Sequence, residues 1–528
     1  MIDLSRPPLP KSFTRAGTAL VAVAAFMVIA GIRATTEPGT DRVLAHVLDR
    51  VTFGARPRDM ERIAHLGIKA YIEQQLNPQR IDDSALEARL DRFETLELST
   101  QEIAERHAIP AQQPKRDQAS SQPKRQSREE IQQRRLVMSE LTEQKLLRAI
   151  FSERQLQEVL VDFWFNHFNV FGGKGIERIL LTSYERDVIR PHVFGSFRDL
   201  LGATAHSPAM LFYLDNWLSV DPEAAQNLAD RRAEMPRGPR QQNLRRTGLN
   251  ENYARELMEL HTLGVDGGYT QQDIVQVARV FTGWTIDQPR RRAEFRFDAR
   301  LHNNTDKVVL GQQIKARGKE EGEQVLDLLA KHPSTVRFIS TKLARRFVSD
   351  NPPAALIERV ARRFQESNGN LREVVRTILL SPEFTAPEAY RAKVKSPFEF
   401  VVSAVRATEA AVESAASLAR TLRELGMPLY MSQPPTGYED DANAWVNTGA
   451  LVARMNFALA LADNQLQGVS LDRDGLERQD NTATVRLRLT DDWLRGDASP
   501  ATLDTMAKAT EIAQLIALAI GSPEFQKR

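Results

Sequence analysis

The sequence predicts a mainly α protein: a large multi-helix domain with a small β-ribbon. Three observations carry this. Apolar residues recur at three- and four-residue spacing along most of the chain, as in Leu44, Val47, Leu48 and Val51, or Leu156, Val159, Leu160 and Phe163. Asn, Ser or Thr precedes several of these runs, and Gly or Pro separates them, which is the chemistry of helix starts and stops. The period-two alternation of a strand is confined to Glu294–Asp298, followed by the β-branched run Lys307–Gly311. Those two segments predict a ribbon enclosing Arg300 to Asp306.

The chain opens on an export segment. Lys11 and Arg15 precede Ala16–Ile32, a run of 17 residues without a charge, and Arg33 closes it. A charged stretch followed by an apolar one is the pattern of a secretory signal or an uncleaved signal anchor. Residues 1–33 are assigned to it, with membrane contact through residues 16–32 if it is retained. The remainder is then extracytoplasmic: periplasmic, secreted or anchored.

Residues 34–110 read as the N-terminal helical part of the main domain. Phe53-Gly54 breaks the first helix, and Met60, Ile63, Ala64, Tyr71, Ile72 and Leu76 carry the next as far as Pro78. Residues 111–135 differ. Ala111 to Gln133 is rich in Gln, Lys, Arg, Ser and Pro and has almost no large apolar residue, so it reads as a disordered polar insertion. Helical periodicity resumes at Leu136, and residues 136–528 form the rest of the domain. An aromatic-rich helix follows there, decorated by Asp162, Asn166, His167 and Asn169. Ser207-Pro208 marks a helix start with His206 at its entrance. Val220 to Arg246, polar and proline-bearing, reads as a surface loop. Further amphipathic helices follow over Glu320–Ala330, Thr335–Val348, Ala354–Glu366, Leu371–Leu380, Ser396–Leu425, Ala444–Ala462 and Thr502–Gly521, with a Pro-rich loop at Met427–Tyr438.

The stretch Leu249–Trp284 reads as a helical hairpin. Asn250 caps the first helix, Gly264 stops it, Asp266-Gly267-Gly268 turns the chain, and Thr270 with Asp273 has capping-box spacing. Tyr253, Leu257 and Leu260 form its apolar stripe. Asn252, Arg255, Glu256 and Glu259 crowd the polar side and are the candidate catalytic residues. Two carboxylates three residues apart are neighbours on a helix, and their repulsion drives their pKa values apart, so one can serve as acid and the other as base. Arg255 would hold an anionic group and Asn252 orient it. The competing reading is a plain run of salt bridges through Glu251, Arg255 and Glu259.

Composition narrows the function classes. The 528 residues include 71 basic and 69 acidic side chains, a net charge of +2, which argues against nucleic acid as the main partner. There is no cysteine, so disulfides, thiolate metal sites and cysteine nucleophiles are excluded. The cofactor is unknown. For a divalent metal the candidate ligands are His167, His206, His261 and His302, with Glu256, Glu259 or Asp273, none at a local metal-binding spacing. No nucleophile elbow, P-loop or dinucleotide fingerprint is present.

Several blocks resemble one family: FWFNHFNVF, SPAMLFYLDN, LNENYARELMELHTLGVDGGYTQQD, ARVFTGWT, LHNNTDKVVLG, the Lys342–Asp350 helix with Pro352, and KSPFEF. On these the chain resembles the secreted bacterial proteins grouped as domain of unknown function 1800, from about Leu44 to the C-terminus. The resemblance implies a mainly helical, extracytoplasmic protein whose partner is a second secreted protein encoded nearby. It supplies no catalytic residues. Many relatives have His-Asp where this chain has His302-Asn303. Two function classes follow: a hydrolase with a Glu/Arg/Asn pocket in the hairpin, or a non-catalytic binding or assembly module of the cell envelope.

Overall fold

Helices begin where the sequence supplies a side-chain acceptor for the free N–H groups of the first turn. Ser196, Ser207, Asn250, Thr270, Asn370, Ser396 and Asn447 each accept such a bond at the start of a helix. The computed structural model describes residues 38–107, 128–234, 248–473 and 481–528. Among these it contains 24 helices and three small two-stranded antiparallel sheets, so the protein is mainly α. Leu44–Arg528 forms one compact unit with a contiguous apolar core that includes Trp164, Trp284, Phe168 and Phe347. The segment 16–32 and most of the polar insertion lie outside the described residues. Among the described residues, no helix is long and apolar enough to cross a membrane.

The hairpin forms as its caps predict. Its first helix, Glu251–Met258, starts at Asn250 and continues into a π-helical turn, Glu259–Leu263; Gly264, at φ 83°, ends it. The capping box of Thr270 and Asp273 opens the second helix, Gln271–Val280.

The ribbon differs from its expectation. Glu294–Phe297 pairs with Trp284–Asp287 before it, and Lys307–Val309 pairs with Gln312–Ile314 after it. Leu310 and Gly311 both have positive φ, 50° and 75°, which is the two-residue turn whose twist suits a hairpin. Each segment therefore closes locally and the longer loop never forms. A third pair joins Ala411–Val412 to Val469–Ser470.

Three other boundaries move. Pro222–Glu234, expected as loop, is a helix started by Asp221, whose carboxylate accepts from the N–H groups of Glu223 and Ala224. Its Pro occupies the first turn, where no N–H is missed. The helix Arg128–Phe151 begins within the expected insertion. The terminal helix is two, Pro500–Ala507 and Ile512–Gly521, preceded by a further helix, Thr482–Asp492.

Three elements place the site. The helix Gln155–His167 buries Leu156, Val159, Leu160 and Trp164. The helix Pro333–Phe347 buries Val336, Ile339, Leu343 and Phe347 and packs on Ala354–Glu366. The loop 427–441 lies beside both.

Candidate functional site

A cavity of about 250 Å³ lies between these three elements. Gln155–His167 lends it Asp162, Phe163, Phe165, Asn166 and His167, with Asn169 just beyond. The helical repeat explains the grouping: Asp162 with Asn166, and Phe163 with His167, are four residues apart and share a face. Pro333–Phe347 contributes Lys342, Arg345 and Arg346 by the same logic. The loop closes the third side and is pinned by amides. Asn166 Nδ2 donates to the Tyr438 carbonyl and its Oδ1 accepts from the Tyr438 N–H, both at 2.7 Å. Asn169 Nδ2 donates to the carbonyls of Ser432 and Pro434 at 3.1 and 2.9 Å.

His167 and Lys342 meet at the centre. His167 Nε2 faces the His261 carbonyl at 3.1 Å, and a carbonyl can only accept, so that nitrogen carries the hydrogen. Nδ1 is then the lone-pair side, and Lys342 Nζ donates to it at 3.0 Å. Burial, with the Lys342 ammonium and His261 adding to it, holds His167 well below the ordinary imidazole range, so the ring is neutral. Burial also lowers Lys342, to about 8, against an opposing pull from Asp440. A lysine with that proton affinity is in part a free amine at slightly alkaline pH.

Most of the other charges lining the cavity are engaged. Lys145 pairs with Asp162 at 2.8 Å. Arg346 pairs with Glu399, which Arg528 also approaches at 3.0 Å. Asp440 lies 3.3 Å from Lys393. Arg345 donates from Nε to the Asp350 carbonyl at 3.1 Å. Among the described residues Lys342 forms no ion pair; its hydrogen-bond partner is a neutral ring, and its ammonium lies 5.4 Å from the Phe338 ring centroid.

The hairpin quartet lies elsewhere. Asn252 is exposed and borders a shallow depression with Asp215, Asn250 and Glu251. Arg255, Glu256 and Glu259 are half-buried, and none of them lines the cavity at His167. Arg255 bonds Gln271 at 3.0 Å and Glu259 accepts from the Tyr269 hydroxyl at 3.0 Å. Burial, and then the Glu259 carboxylate, raise Glu256 above the usual carboxylate range.

The four histidines occupy three places. His167 and His261 are neighbours, with ring centroids 6.3 Å apart. Burial pulls His261 down to about 3, and among the described residues its Nε2 meets no partner. His206 Nε2 donates to the Glu323 carboxylate, 2.9 Å away, and its ring lies tilted against Trp284 and edge-on to Phe295. His302 is enclosed, both ring nitrogens facing oxygens of Thr282 and Glu321, and Lys307 shares that glutamate. Among the described residues no three His, Asp or Glu side chains come together as a group able to hold a metal ion.

Lys342 is the residue that sequence reasoning passed over. The one available signal was its place beside the apolar stripe of its helix, between Ile339 and Leu343, where a solvated lysine is out of keeping.

The chain matches, over residues 46–527, the family model described as "Protein of unknown function (DUF1800)". No curated protein and no solved structure matches it. With nearly its whole length covered, from the helix before the cavity to the tail that reaches Glu399, this protein belongs to the DUF1800 family.

Proposed function

We propose that this protein is an exported enzyme whose base is Lys342, acting on a small polar substrate in the cavity at His167. The observation that carries the reading is a lysine in a cavity of about 250 Å³ facing a neutral imidazole instead of a carboxylate. Its free amine takes a proton from bound substrate or from water, and in the second case the reaction is a hydrolysis. Asn166, Asn169 and the paired charges hold the walls, so that lysine and substrate keep their relative geometry. Export is supported by Lys11 and Arg15 ahead of the uncharged run Ala16–Ile32.

Competitive labelling tests this. Trace acetic anhydride is applied to the full chain between about pH 6 and 11, and acetylation is read peptide by peptide. Lys342 should reach half its maximal reactivity near pH 8, well before the surface lysines. Titration together with them, or no reaction at any pH, would sink the reading.

A second reading, a binding or assembly module of the cell envelope, is favoured by one observation. Val446, Leu451, Val452 and Leu459 stand 50, 44, 56 and 42% exposed, on and just before the helix Thr448–Ala462. In that case the partner is the second secreted protein encoded nearby. Val452→Glu with Leu459→Glu would then abolish association and leave the Lys342 titration unchanged.

A further inference from the structure

We propose that Lys342 forms an imine with a small oxo acid, a carbonyl compound that also carries a carboxylate, and that Arg345 receives the carboxylate. This rests on the reading of Lys342 as the reactive amine and names its substrate class.

The geometry that points there is the pairing of two cationic side chains with different freedom. Lys342 and Arg345 are three residues apart on Pro333–Phe347, so they are neighbours on one helix face, and both line the cavity. Arg345 is exposed, and among the described residues its guanidinium bonds only the Asp350 carbonyl, through Nε. Its Nη groups remain for a ligand, and a guanidinium fork fits a carboxylate better than it fits a neutral hydroxyl. The acids along the same cavity do not compete equally. Asp162 is matched by Lys145, Asp440 by Lys393, and Asp441 caps the N–H groups of Asn443 and Ala444. Glu439 also lines the cavity. An amine alone would suit any electrophile; an amine with an arginine beside it suits one that bears an anion.

His167 has a defined part. Its Nδ1 takes one amine hydrogen, which fixes the side chain without supplying a counter-charge that would stabilise the ammonium. Lys342 is thus a positioned nucleophile, and His167 is a positioning residue. In the reaction the ammonium first loses a proton to solvent. The amine lone pair attacks the carbonyl carbon, a C–N bond forms, and the C–O π pair moves to oxygen, which takes up a proton. One N–H proton of this carbinolamine then passes to its hydroxyl, the freed nitrogen lone pair forms the C=N bond as the C–O bond breaks, and water leaves, giving a protonated imine. Carbonyl compound and ammonium become iminium and water, with no change of oxidation state.

The test traps that imine. The full chain is incubated with glyoxylate and cyanoborohydride, the hydride donor that reduces an iminium, and the carboxymethylated lysines are mapped by mass spectrometry. Glycolaldehyde, with the same carbon count and no carboxylate, is run in parallel. Glyoxylate should modify Lys342 at least about tenfold faster than any other lysine, the advantage expected of a free amine with a charged anchor beside it. Arg345→Gln should slow glyoxylate labelling of Lys342 about tenfold and leave glycolaldehyde labelling within about twofold, since only the first loses a charge-assisted pair. His167→Gln, which keeps a polar side chain there, should slow both probes alike. Labelling spread evenly over the lysines, or an Arg345→Gln effect equal for both probes, overturns the proposal. If Lys342 acetylates near pH 8 yet yields no carboxymethyl product, the imine is wrong and the general base stands. If it acetylates with the surface lysines, both fall.

Discussion

Replacing Lys342 by methionine should make the protein relatively more stable at neutral pH, which is the reverse of what losing a hydrogen-bonded residue usually does. In the folded chain Lys342 holds its proton only up to about pH 8, whereas an ordinary lysine holds it to 10.5. Below pH 8 both folded and unfolded chains carry the proton, and the folded state bears the whole cost of a desolvated ammonium. Between pH 8 and 10.5 the unfolded chain binds a proton that the folded chain has released, so stability rises with pH across that window. The ceiling on the cost is ~3 kcal/mol, and because the side chain is only partly buried, screening reduces it to ~1–2 kcal/mol. Methionine keeps the length and apolar stem and removes the charge, but it leaves His167 Nδ1 without its donor, at about 1 kcal/mol. That loss is independent of pH, so it cancels in a double difference. Urea unfolding of wild type and Lys342→Met at pH 7 and pH 10 gives the quantity directly. The gain from methionine should be ~1–2 kcal/mol larger at pH 7 than at pH 10. A double difference of zero would mean that Lys342 titrates as a surface lysine, and the reasoning from burial would be refuted. Lys342→Arg is the control, since its guanidinium stays charged throughout and should show no such rise.

Three further outcomes follow from the same structure. Glu177 is fully buried, neither carboxylate oxygen meets a partner among the described residues, and burial raises it well above the carboxylate range; because its proton is lost in the unfolded chain above about pH 4.5 but kept in the folded one, Glu177→Gln should add ~1–2 kcal/mol at pH 7 and nothing at pH 4, by denaturant melts. Gly437 sits at φ 74°, where a Cβ would collide with the Asn166 carbonyl and side-chain oxygen, so Gly437→Ala should lower stability by ~2–4 kcal/mol in denaturant melts. Glu259→Gln removes one of the two influences that raise Glu256, so the Glu256 carboxyl should titrate at lower pH while the fold is kept, as followed by carboxyl-carbon NMR; no movement would place the pair too far apart to act as acid and base.

What the residues disclosed on their own depended on how far a signal had to reach. The hairpin from Leu249 to Trp284 was legible because its caps, its glycine stop and its stripe all act within four residues of one another. The loop at Met427–Tyr438 was legible for the same reason. Ribbon pairing was not, because two alternative partners flanked Glu294 and only the geometry of the intervening turns chooses between them. The site was half legible. Asp162, Asn166, His167 and Asn169 stood out as polar groups on an aromatic helix, yet their meaning depended on Lys342, 175 residues further on. The hairpin's Glu256 and Glu259 adjoin on one helix, and burial with Glu259 raises Glu256; adjacency along a helix, however, carries no information about whether a cavity opens above it.

Burial by itself does not single out Lys342, and comparison with two other interior lysines shows what does. Lys145 is surrounded by Phe165, Phe398 and Tyr430, and burial would lower it, but Asp162 at 2.8 Å and Glu185 more than compensate and hold it above the ordinary lysine value. It is a cation fixed against Asp162. Lys395 is lowered by burial to about 8, the same as Lys342, with its ammonium 4.0 Å from the Phe525 ring centroid. The space beside it is only about 20 Å³, room for one water and no substrate. Lys342 has the low proton affinity of the second lysine and the cavity that the first one borders. A free amine is of chemical use only where another molecule can reach it, and a cavity is of chemical use only where some group in it is not already committed to a partner. The two conditions coincide at Lys342. That makes Lys395 the informative internal comparison in every labelling experiment: with the same lowered proton affinity but no space beside it, it should remain unmodified by acetic anhydride and by glyoxylate alike, which separates accessibility from proton affinity within a single chain.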